Sequence, residues 1–377
     1  HLLTSCPKVT PMTTPHATVF LFDIDRPAYS VPSMGEIRAR DNGLTAVSTF
    51  SGCGGSSTGL HMAGWRIPWA NEFIPAARET YEANWPETYV DPRDIREIEP
   101  GDILDRIGLD VGELDLFEGS PPCSSFSVAN TGATRYGTGK PKHYSEGVHQ
   151  VTDDLFDEWV RMVDGLKPRA VLAENVPGLL RDNSSDYYRS ILDRLTGLGY
   201  VVDADISNAG HFGAATSRRR LIIRGVRRDV GPLPSRPTRK PHGFTIGDAL
   251  AALPCEIPRD EREHSDASRY AIGQAWGDIA PGETSERFAQ VVRCSWERPL
   301  PSITQRGQGG GTANPMHPDE CRTFTPTELA WIFGYPADFT FTGTPAQRYE
   351  RIARSVAPPL YAAHGAALAD ALQGARA

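Results

Sequence analysis

The chain contains 377 residues, of which 39% are hydrophobic, and it carries a formal net charge of −8. This length exceeds that of one average domain and predicts one large domain with a smaller second one. No run of about 18 apolar residues is present, which excludes a membrane span, and no basic-then-apolar leader is present, which argues against secretion. The six cysteines lack metal-site spacing, so we expect reduced thiols and no metal.

The amino-terminal residues 1–43 are rich in Pro and Thr without periodicity, so we predict an extension. One interpretation of its first residues is that they derive from the expression vector. Beyond it, short apolar runs predict strands at 44–50, 66–71, 114–117, 170–173, 201–206 and 221–223. Helices are predicted from near residue 57 and over 74–84 and 187–198. Strands separated by helices predict an α/β fold with a mostly parallel sheet and helices on both faces.

Residues 241–324 are rich in Pro and Gly and show little periodicity, which predicts a small irregular domain. Helical patterns return at 325–333 and 360–372, so we assign 44–240 and 325–377 to the large domain. Just before the small domain, the basic segment 216–240 contains nine Arg or Lys and one acid, Asp229. Such a segment either neutralises phosphates or forms a solvated edge.

A glycine-rich turn, 51–55, follows the first strand and precedes a helix. Glycines let the backbone approach a ligand, and a helix N-terminus offers unpaired N–H groups. The third glycine of a dinucleotide site is missing, because position 57 is Ser. Glu72 ends the next strand, where an acid can accept hydrogen bonds from ribose hydroxyls, and Asp94 can meet an adenine amino group. The pattern favours an adenosine ligand; the alternative is a tight turn alone.

Two further strand ends carry reactive side chains. Cys123 follows Pro121 and Pro122 in a stiff loop, where it is either a nucleophile or an inert thiol. Glu174 ends the strand 170–173 and is either an acid with a raised pKa or a surface carboxylate. Because side chains alternate along a strand, Arg218 and Arg220 point to the same face.

Taken in chain order, these motifs resemble the DNA cytosine-5 methyltransferase family. The resemblance runs from Leu44 to Leu372 and includes the stretches 298–304 and 322–336. The motifs that carry it are Phe50-Ser51-Gly52-Cys53-Gly54-Gly55, Glu72, Pro122-Cys123, Glu174-Asn175-Val176, Arg218-x-Arg220 and Thr304. It implies a Rossmann-like fold that uses S-adenosylmethionine, with 241–324 as the target-recognition domain.

The resemblance also implies a mechanism. The Cys123 thiolate adds to carbon 6 of a cytosine flipped out of double-stranded DNA. Glu174 holds the ring N3 and the exocyclic amine, while Arg218 and Arg220 orient the base and nearby backbone. Carbon 5 then takes the methyl group of S-adenosylmethionine, and loss of its proton releases the enzyme.

Further site residues follow from the same resemblance. The residues expected at the cofactor are Phe50, Ser51, Gly52, Cys53, Gly54, Gly55, Glu72, Asp94, Ile95, Pro122, Arg354, Ser355 and Val356. Those expected at the DNA or the base are Ser124, Ser127, Asn175, Thr216, Arg219, Thr304 and Arg306. We expect a monomer in the cytoplasm of a prokaryotic or phage-infected cell, with restriction–modification as one setting.

The chain departs from the family at several positions. Ser124 and Thr216 stand where Gln is usual, and Asn130 stands where Gly is usual. Arg354 places a guanidinium where the family has a neutral amide. Arg354 contacts the cofactor carboxylate or a DNA phosphate, points to solvent, or pairs with an extra carboxylate on carboxy-S-adenosylmethionine, which would make the transferred group carboxymethyl.

Three other functions remain alternatives at this stage. The departures at Ser124, Thr216 and Arg354 keep open a catalytically silent DNA-binding protein. A nicotinamide oxidoreductase is disfavoured by the missing third glycine and by the Pro-Pro-Cys loop. An RNA substrate is a further alternative, although no distinct RNA-binding appendage is visible.

Overall fold

The fold is described from a computed structural model. It describes residues 28–122, 142–143, 149–150, 154–180, 185–241, 243–288, 291–303 and 315–375, with 142–143 and 149–150 as backbone only. Across these ranges, no helix has the length and apolar composition that crossing a membrane requires.

Most strands of the described chain join one seven-stranded sheet in the order β3-β2-β1-β4-β7-β9-β8. Strands β1, β2, β3, β4 and β7 are parallel, and β9 runs antiparallel to both β7 and β8. The strands β5 and β6 pair separately. The strands are β1 Thr45–Thr49, β2 Arg66–Asn71, β3 Tyr89–Asp91, β4 Leu116–Gly119, β5 Lys142–His143, β6 His149–Gln150, β7 Ala170–Asn175, β8 Tyr200–Asn208 and β9 Arg219–Arg227. The predicted α/β class with a mostly parallel sheet is confirmed.

Helices cover both faces of this sheet. In chain order the α-helices of the described ranges are α1 Met34–Arg38, α2 Gly55–Met62, α3 Pro75–Asn84, α4 Pro100–Ile107, α5 Leu155–Leu166, α6 Ser185–Gly197, α7 Ile246–Ala251, α8 Arg259–Ser265, α9 Ala271–Trp276, α10 Pro326–Phe333, α11 Pro345–Arg354 and α12 Pro358–Gly374.

Alternation along the strands divides the core into two layers. Ala46, Leu116 and Leu172 face the layer formed with α2, α10, α11 and α12. Their neighbours Val47, Phe117 and Val171 face the opposite layer, which contains α4, α5 and α6. Each layer buries apolar side chains of the central strands, so the sheet is sandwiched as parallel sheets require.

Strands β1 and β4 are neighbours in the sheet, whereas β2 and β3, which come between them in sequence, lie on the other side of β1. The order of the strands along the sheet therefore reverses between β1 and β4. Helices that leave β1 and β4 therefore cover different faces, and a crevice opens at the carboxyl ends of these strands. Ligands of open α/β sheets bind at such a switch point. Both the glycine-rich turn after β1 and the Pro-Pro segment after β4 lie at this edge.

The predicted extension and small domain differ in part from the observed packing. From residue 28 the chain packs on the large domain: Tyr29 donates a hydrogen bond to the Trp331 carbonyl, and Met34 and Ile37 are buried in the first layer. Residues 1–27 lie outside the described residues. Within 241–324, Ile246 and Leu300 share the main core, while a small separate cluster is formed by Ala267, Ile279, Val291 and Met316.

Candidate active site

The glycine-rich turn needs three residues with positive φ. Phe50, Gly52 and Gly54 have φ of 53°, 56° and 89°, and glycine adopts these angles without the strain that a β-carbon causes. Phe50 is one of two non-glycine residues with positive φ in the described chain, and such strain is typical of functional sites. A β-carbon built on Gly52 would meet nothing within 4 Å, so the turn is open on this side.

Glu72, directly after β2, lies against this turn. Its carboxylate accepts hydrogen bonds from the backbone N–H groups of Gly52 (2.8 Å) and Ile74 (2.7 Å). Burial raises the pKa of this carboxyl, whereas the two N–H groups and the Arg354 guanidinium act in the opposite direction. Each carboxylate oxygen has a second lone pair, so Glu72 can still accept hydrogen bonds from a ribose diol.

Asp94 and Ile95 lie at the next strand end of the same edge. The Asp94 carboxylate caps the short helix Ile95–Glu97 and pairs with Arg96 at 3.0 Å. The Ile95 side chain is buried in the second core layer, so only its backbone can face a ligand. The Glu72 and Asp94 carboxylates can accept hydrogen bonds from the ribose diol and from the adenine amine of an adenosyl group, respectively.

The segment between α11 and α12 forms another wall of the turn. A β-carbon on Gly55 would lie 2.5 Å from the Val356 carbonyl oxygen and 3.2 Å from the Ser355 β-carbon. Three predicted cofactor residues, about 300 positions apart in sequence, are thus in contact. Nearby, Arg354 pairs with Glu350 one helical turn earlier. The Cys53 side chain turns away into the core, where its sulfur lies 3.5 Å from the Tyr335 hydroxyl.

Glu174 marks the second part of the site, at the end of β7. Its carboxylate pairs with the Arg220 guanidinium at 2.5 Å, with both side chains largely buried. Burial raises the pKa of this carboxyl, and the charges of Arg220 and Arg218 oppose the change. The side-chain amide of the next residue, Asn175, donates to the Pro121 carbonyl at 3.1 Å. This bond joins the end of β7 to the segment that leads to Cys123.

Arg218 is positioned differently from Arg220. It is 2% exposed, its guanidinium donates to the Ala353 carbonyl at 2.8 Å, and it lies over the Phe333 ring. Burial lowers the pKa of this guanidinium, and the Glu174 charge acts against the change. Arg218 thus links β9 to the end of α11 and acts on Glu174 through its charge.

Cys123, Ser124, Ser127, Thr304 and Arg306 lie outside the described residues, and Pro122, directly before the cysteine, is half-buried.

Two predicted DNA contacts have contrasting surroundings. Thr216 is completely buried, and its hydroxyl donates to the Leu300 carbonyl at 2.9 Å. This placement speaks against a direct DNA contact by Thr216, because no part of its side chain reaches solvent. Arg219 is exposed, on the strand face opposite Arg218 and Arg220, so it remains a predicted DNA contact.

The basic segment 216–240 is largely neutralised by the protein itself. Arg224 pairs with Asp203 at 2.9 Å, Arg236 pairs with Asp203 at 2.5 Å and Asp205 at 3.1 Å, and Arg239 pairs with Asp205. Hydrogen bonds from Arg236 and Arg224 hold the pKa of Asp203 at about 2. Arg224 within β9 and Arg236 and Arg239 after it therefore hold this part of the chain against β8, so these three arginines fit neither the phosphate-neutralising nor the solvated-edge interpretation of the segment.

Sequence reasoning missed one buried acid, Glu118 on β4. It is 0% exposed, and its carboxylate accepts hydrogen bonds from the Ser48 hydroxyl and, at 2.9 Å, from the Ser56 hydroxyl. Desolvation by burial raises its pKa to about 8. The available signal was a glutamate inside a short apolar run, a residue type that is almost never fully buried without a partner.

Among the residues that the structure describes, no cluster of three or more His, Cys, Asp or Glu could hold a metal ion. The donor set of the site fits an adenosyl amino acid: carboxylates for the ribose and adenine, and Arg354 and Ser355 for a carboxylate.

Comparisons with known proteins show the family to which the chain is similar. The family model described as C-5 cytosine-specific DNA methylase matches residues 44–369. The chain is 29% identical over 343 residues to the type II methyltransferase M.NgoFVII of Neisseria gonorrhoeae, covering 86% of each. It is 28% identical over 326 residues to the type II methyltransferase M.Sau96I of Staphylococcus aureus, covering 82% of this chain and 71% of the relative.

Solved structures share the fold. A proposed DNA modification methyltransferase encoded within an E. coli prophage superposes with a TM-score of 0.69 at 23% identity, covering 88% of this chain and 99% of that one. A mutant of Spodoptera frugiperda DNMT2 has a TM-score of 0.62 at 18% identity, covering 85% and 97%. The Rossmann-like fold expected from the sequence is confirmed.

Proposed function

The chain belongs to the family of C-5 cytosine-specific DNA methylases, and from this premise we propose that it acts through a covalent bond between Cys123 and a cytosine extruded from double-stranded DNA. Transfer of a methyl group from S-adenosylmethionine to carbon 5 of cytosine is the family's reaction. The base must leave the stack because carbon 5 and carbon 6 are otherwise enclosed in the duplex.

One observation carries this proposal: the ends of β4 and β7 are tied together by the Asn175–Pro121 hydrogen bond. Cys123 follows Pro121 by two residues, and Glu174 directly precedes Asn175. A ring that contacts the Glu174 carboxyl with its N3 and amine edge can therefore present carbon 6 towards the loop that carries the sulfur. The two groups act on opposite sides of one pyrimidine.

Glu174 supplies the proton that makes this addition possible. Cytosine is a poor acceptor for a thiolate until N3 takes a proton or a strong hydrogen bond, because the added electrons need a place to go. Burial raises the pKa of the Glu174 carboxyl, which favours the protonated form that can donate to N3. The pairing with Arg220 fixes the carboxyl orientation.

Residues around the glycine-rich turn would hold the cofactor. When bound, S-adenosylmethionine supplies a methyl group activated by a sulfonium. Glu72 would accept hydrogen bonds from the ribose hydroxyls and Asp94 from the adenine amine. Ser355 and Arg354 would receive the amino-acid carboxylate, and Phe50 would pack against the adenine.

The experiment uses a DNA duplex that carries 5-fluorocytosine, with S-adenosylmethionine present. Fluorine on carbon 5 cannot leave as a proton does, so the bond between the protein and the base persists. We expect intact-protein mass spectrometry to find an adduct of wild-type protein. The adduct should be absent from Cys123→Ser and retained by Cys255→Ser, a control at an exposed thiol. A folded wild-type protein without an adduct would overturn the proposal and favour a silent DNA-binding protein.

Carboxymethyl transfer from carboxy-S-adenosylmethionine is a narrower second candidate. It is favoured by the Arg354 guanidinium, whose charge acts on the Glu72 carboxyl at the proposed ribose site, and a bidentate arginine–carboxylate pair is selective. The Glu350 partner of Arg354 competes with this role. Mass spectrometry of nucleosides from DNA treated with both cofactors decides: 5-methylcytosine alone eliminates the candidate, and 5-carboxymethylcytosine establishes it.

A further inference from the structure

The hydroxyl of Tyr335 lies inside the protein, directly against the glycine-rich turn. Tyr335 comes just after α10, which ends at Gly334 with a φ of 85°. The side chain is fully buried, and its ring packs against Phe339 and Phe341, with centroids 4.8 and 5.1 Å away. The hydroxyl of a buried tyrosine usually has a hydrogen-bond partner. The neighbours of this oxygen therefore indicate what Tyr335 holds in place.

On one side the Tyr335 hydroxyl contacts the turn. The sulfur of Cys53, which is also buried, lies 3.5 Å from the Tyr335 oxygen, and either atom can be the donor. A β-carbon built on Gly55 would lie 2.5 Å from the same oxygen, closer than the two atoms can approach. Glycine at position 55 therefore leaves the space that the Tyr335 hydroxyl occupies.

On the other side the Tyr335 hydroxyl meets the segment between α11 and α12. The Val356 carbonyl oxygen and the Ser355 β-carbon lie 2.5 and 3.2 Å from the same built β-carbon of Gly55. The Ser355 side chain interacts with the Tyr335 phenol, and its hydroxyl donates to the Ile352 carbonyl at 2.9 Å. The Tyr335 hydroxyl thus lies at the junction of two walls of the proposed cofactor site.

The groups at this junction can all be satisfied at once. Burial raises the pKa of the Cys53 thiol and of the Tyr335 phenol, so each keeps its proton. Since each thiol or hydroxyl has one proton to donate, the Cys53 S–H can donate to Tyr335, the Tyr335 O–H to Ser355, and the Ser355 O–H to the Ile352 carbonyl. This chain of donors runs from the glycine-rich turn to the end of α11.

We propose that Tyr335 is a positioning residue for S-adenosylmethionine: its hydroxyl holds the glycine-rich turn against Ser355 and Val356, so that both segments face the cofactor in a fixed geometry. Because protein groups enclose the hydroxyl, Tyr335 acts through the turn and not through a contact with the cofactor. A site that is ordered before binding loses less free energy when its ligand arrives. The inference rests on the proposed placement of the cofactor at this turn.

The test compares cofactor affinity with the rate of methyl transfer. Tyr335→Phe keeps the ring between Phe339 and Phe341 and removes only the oxygen. We expect titration calorimetry to show S-adenosylmethionine bound about 2- to 10-fold more weakly, the range that one hydrogen bond typically contributes. At saturating cofactor and DNA, kcat should stay within about twofold of wild type, because the lost interaction serves binding and not the chemical step.

Tyr200→Phe is the matched control. Tyr200 is also buried, and its hydroxyl donates to the Pro168 carbonyl at 2.6 Å in the opposite core layer. Each variant removes a hydroxyl from a buried phenol, so each should unfold at a lower urea concentration than wild type. A merely structural role predicts the same cofactor affinity in both variants. Wild-type affinity in Tyr335→Phe would overturn the inference, as would an equal loss of affinity in Tyr200→Phe.

Cys53→Ala keeps the inference testable if Tyr335→Phe fails to fold. It removes the sulfur that faces the Tyr335 oxygen, so S-adenosylmethionine should bind more weakly with kcat retained. Cys294→Ala, at another buried thiol of the main core, should bind the cofactor like wild type. The losses of affinity in Cys53→Ala and Tyr335→Phe should not add in the double variant, because both break the same contact. Wild-type affinity in Cys53→Ala, or additive losses, would contradict the inference.

The outcome is separable from that of the proposed function. If Glu72→Gln leaves S-adenosylmethionine affinity unchanged, the proposed cofactor site itself is wrong. If Glu72→Gln weakens binding while Tyr335→Phe and Cys53→Ala bind like wild type, only the positioning role of Tyr335 is refuted.

Discussion

The carboxyl edge of the sheet has two halves that hold buried glutamates by different means. In the proposed cofactor half, at the ends of β1 and β2, Glu72 is held by two backbone N–H groups. In the proposed base half, at the end of β7 and the start of β9, Glu174 is held by the guanidinium of Arg220, with the charge of Arg218 nearby. One carboxyl is fixed by the main chain and the other by side chains.

The difference suits different tasks. Backbone N–H groups at a turn cannot rotate away, so they keep Glu72 in place as a hydrogen-bond acceptor for the ribose of the proposed cofactor, a part of that ligand that does not react. The guanidinium groups belong to arginine side chains and stabilise the carboxylate form of Glu174. They therefore adjust how readily Glu174 gains and loses a proton. The halves should therefore fail differently when each glutamate becomes glutamine.

The largest effect is expected in the base half. Glu174→Gln cannot donate a proton to N3, and loss of a general acid typically costs about 10²- to 10⁴-fold in rate. We expect kcat for methyl transfer to fall in that range while S-adenosylmethionine affinity changes little. Single-turnover methylation and equilibrium dialysis measure the two quantities. A loss of cofactor affinity as large as the loss of rate would remove the distinction between the halves.

A smaller effect is expected in the cofactor half. Glu72→Gln replaces a charged acceptor by a neutral one, and a hydrogen bond to a charged group contributes about 1.5–3 kcal/mol. We expect S-adenosylmethionine to bind about 10- to 100-fold more weakly, with kcat at saturation close to wild type. Titration calorimetry measures the change, and Glu79→Gln, at an exposed position of α3, is the control. Unchanged affinity would exclude Glu72 from the cofactor site.

A third effect concerns the pH dependence of stability and involves Glu118, on β4 between the two halves. Burial raises the pKa of Glu118 to about 8, whereas an unfolded glutamate titrates near about 4.3. Between these values the folded protein holds one proton more than the unfolded chain, so the free energy of unfolding falls as pH rises, by about 1.4 kcal/mol per unit from this group. Glu118→Gln should lack this slope.

Urea unfolding of wild type and Glu118→Gln between about pH 5 and pH 8 measures this pH dependence of the free energy of unfolding. The stability of wild type relative to the variant should decrease with rising pH. If the free energies of unfolding of wild type and Glu118→Gln depend on pH in the same way, the Glu118 carboxyl titrates in the folded protein as an exposed carboxyl would.

Much of the fold was predictable because apolar runs bounded by turn residues mark strands. The predicted strand 66–71 matches β2, and the predicted run 170–173 lies within β7. β3 has only three residues, too few for a periodic signal. α5 was missed although Leu155, Trp159 and Leu166 recur at helical spacing and are buried, because its acidic residues obscured the apolar face.

The candidate site was predictable where a residue ends a strand, since parallel strands bring their carboxyl ends together. This places Glu72 and Glu174 at one edge. Pairing across the sheet was not predictable, because Arg236 and Asp203 are 33 residues apart and nothing local indicates that they meet. Glu118 was missed for the same reason: its hydroxyl partners lie on β1 and α2, far away in sequence.

The contact of Gly55 with the Val356 carbonyl has a consequence for biosynthesis. The glycine-rich turn leaves the ribosome about 300 residues before the segment that encloses it. Domains tend to fold as units during synthesis, yet this turn cannot acquire this wall until residues 355 and 356 have also been synthesised. A nascent chain stalled before residue 345 should therefore not capture the methyl donor.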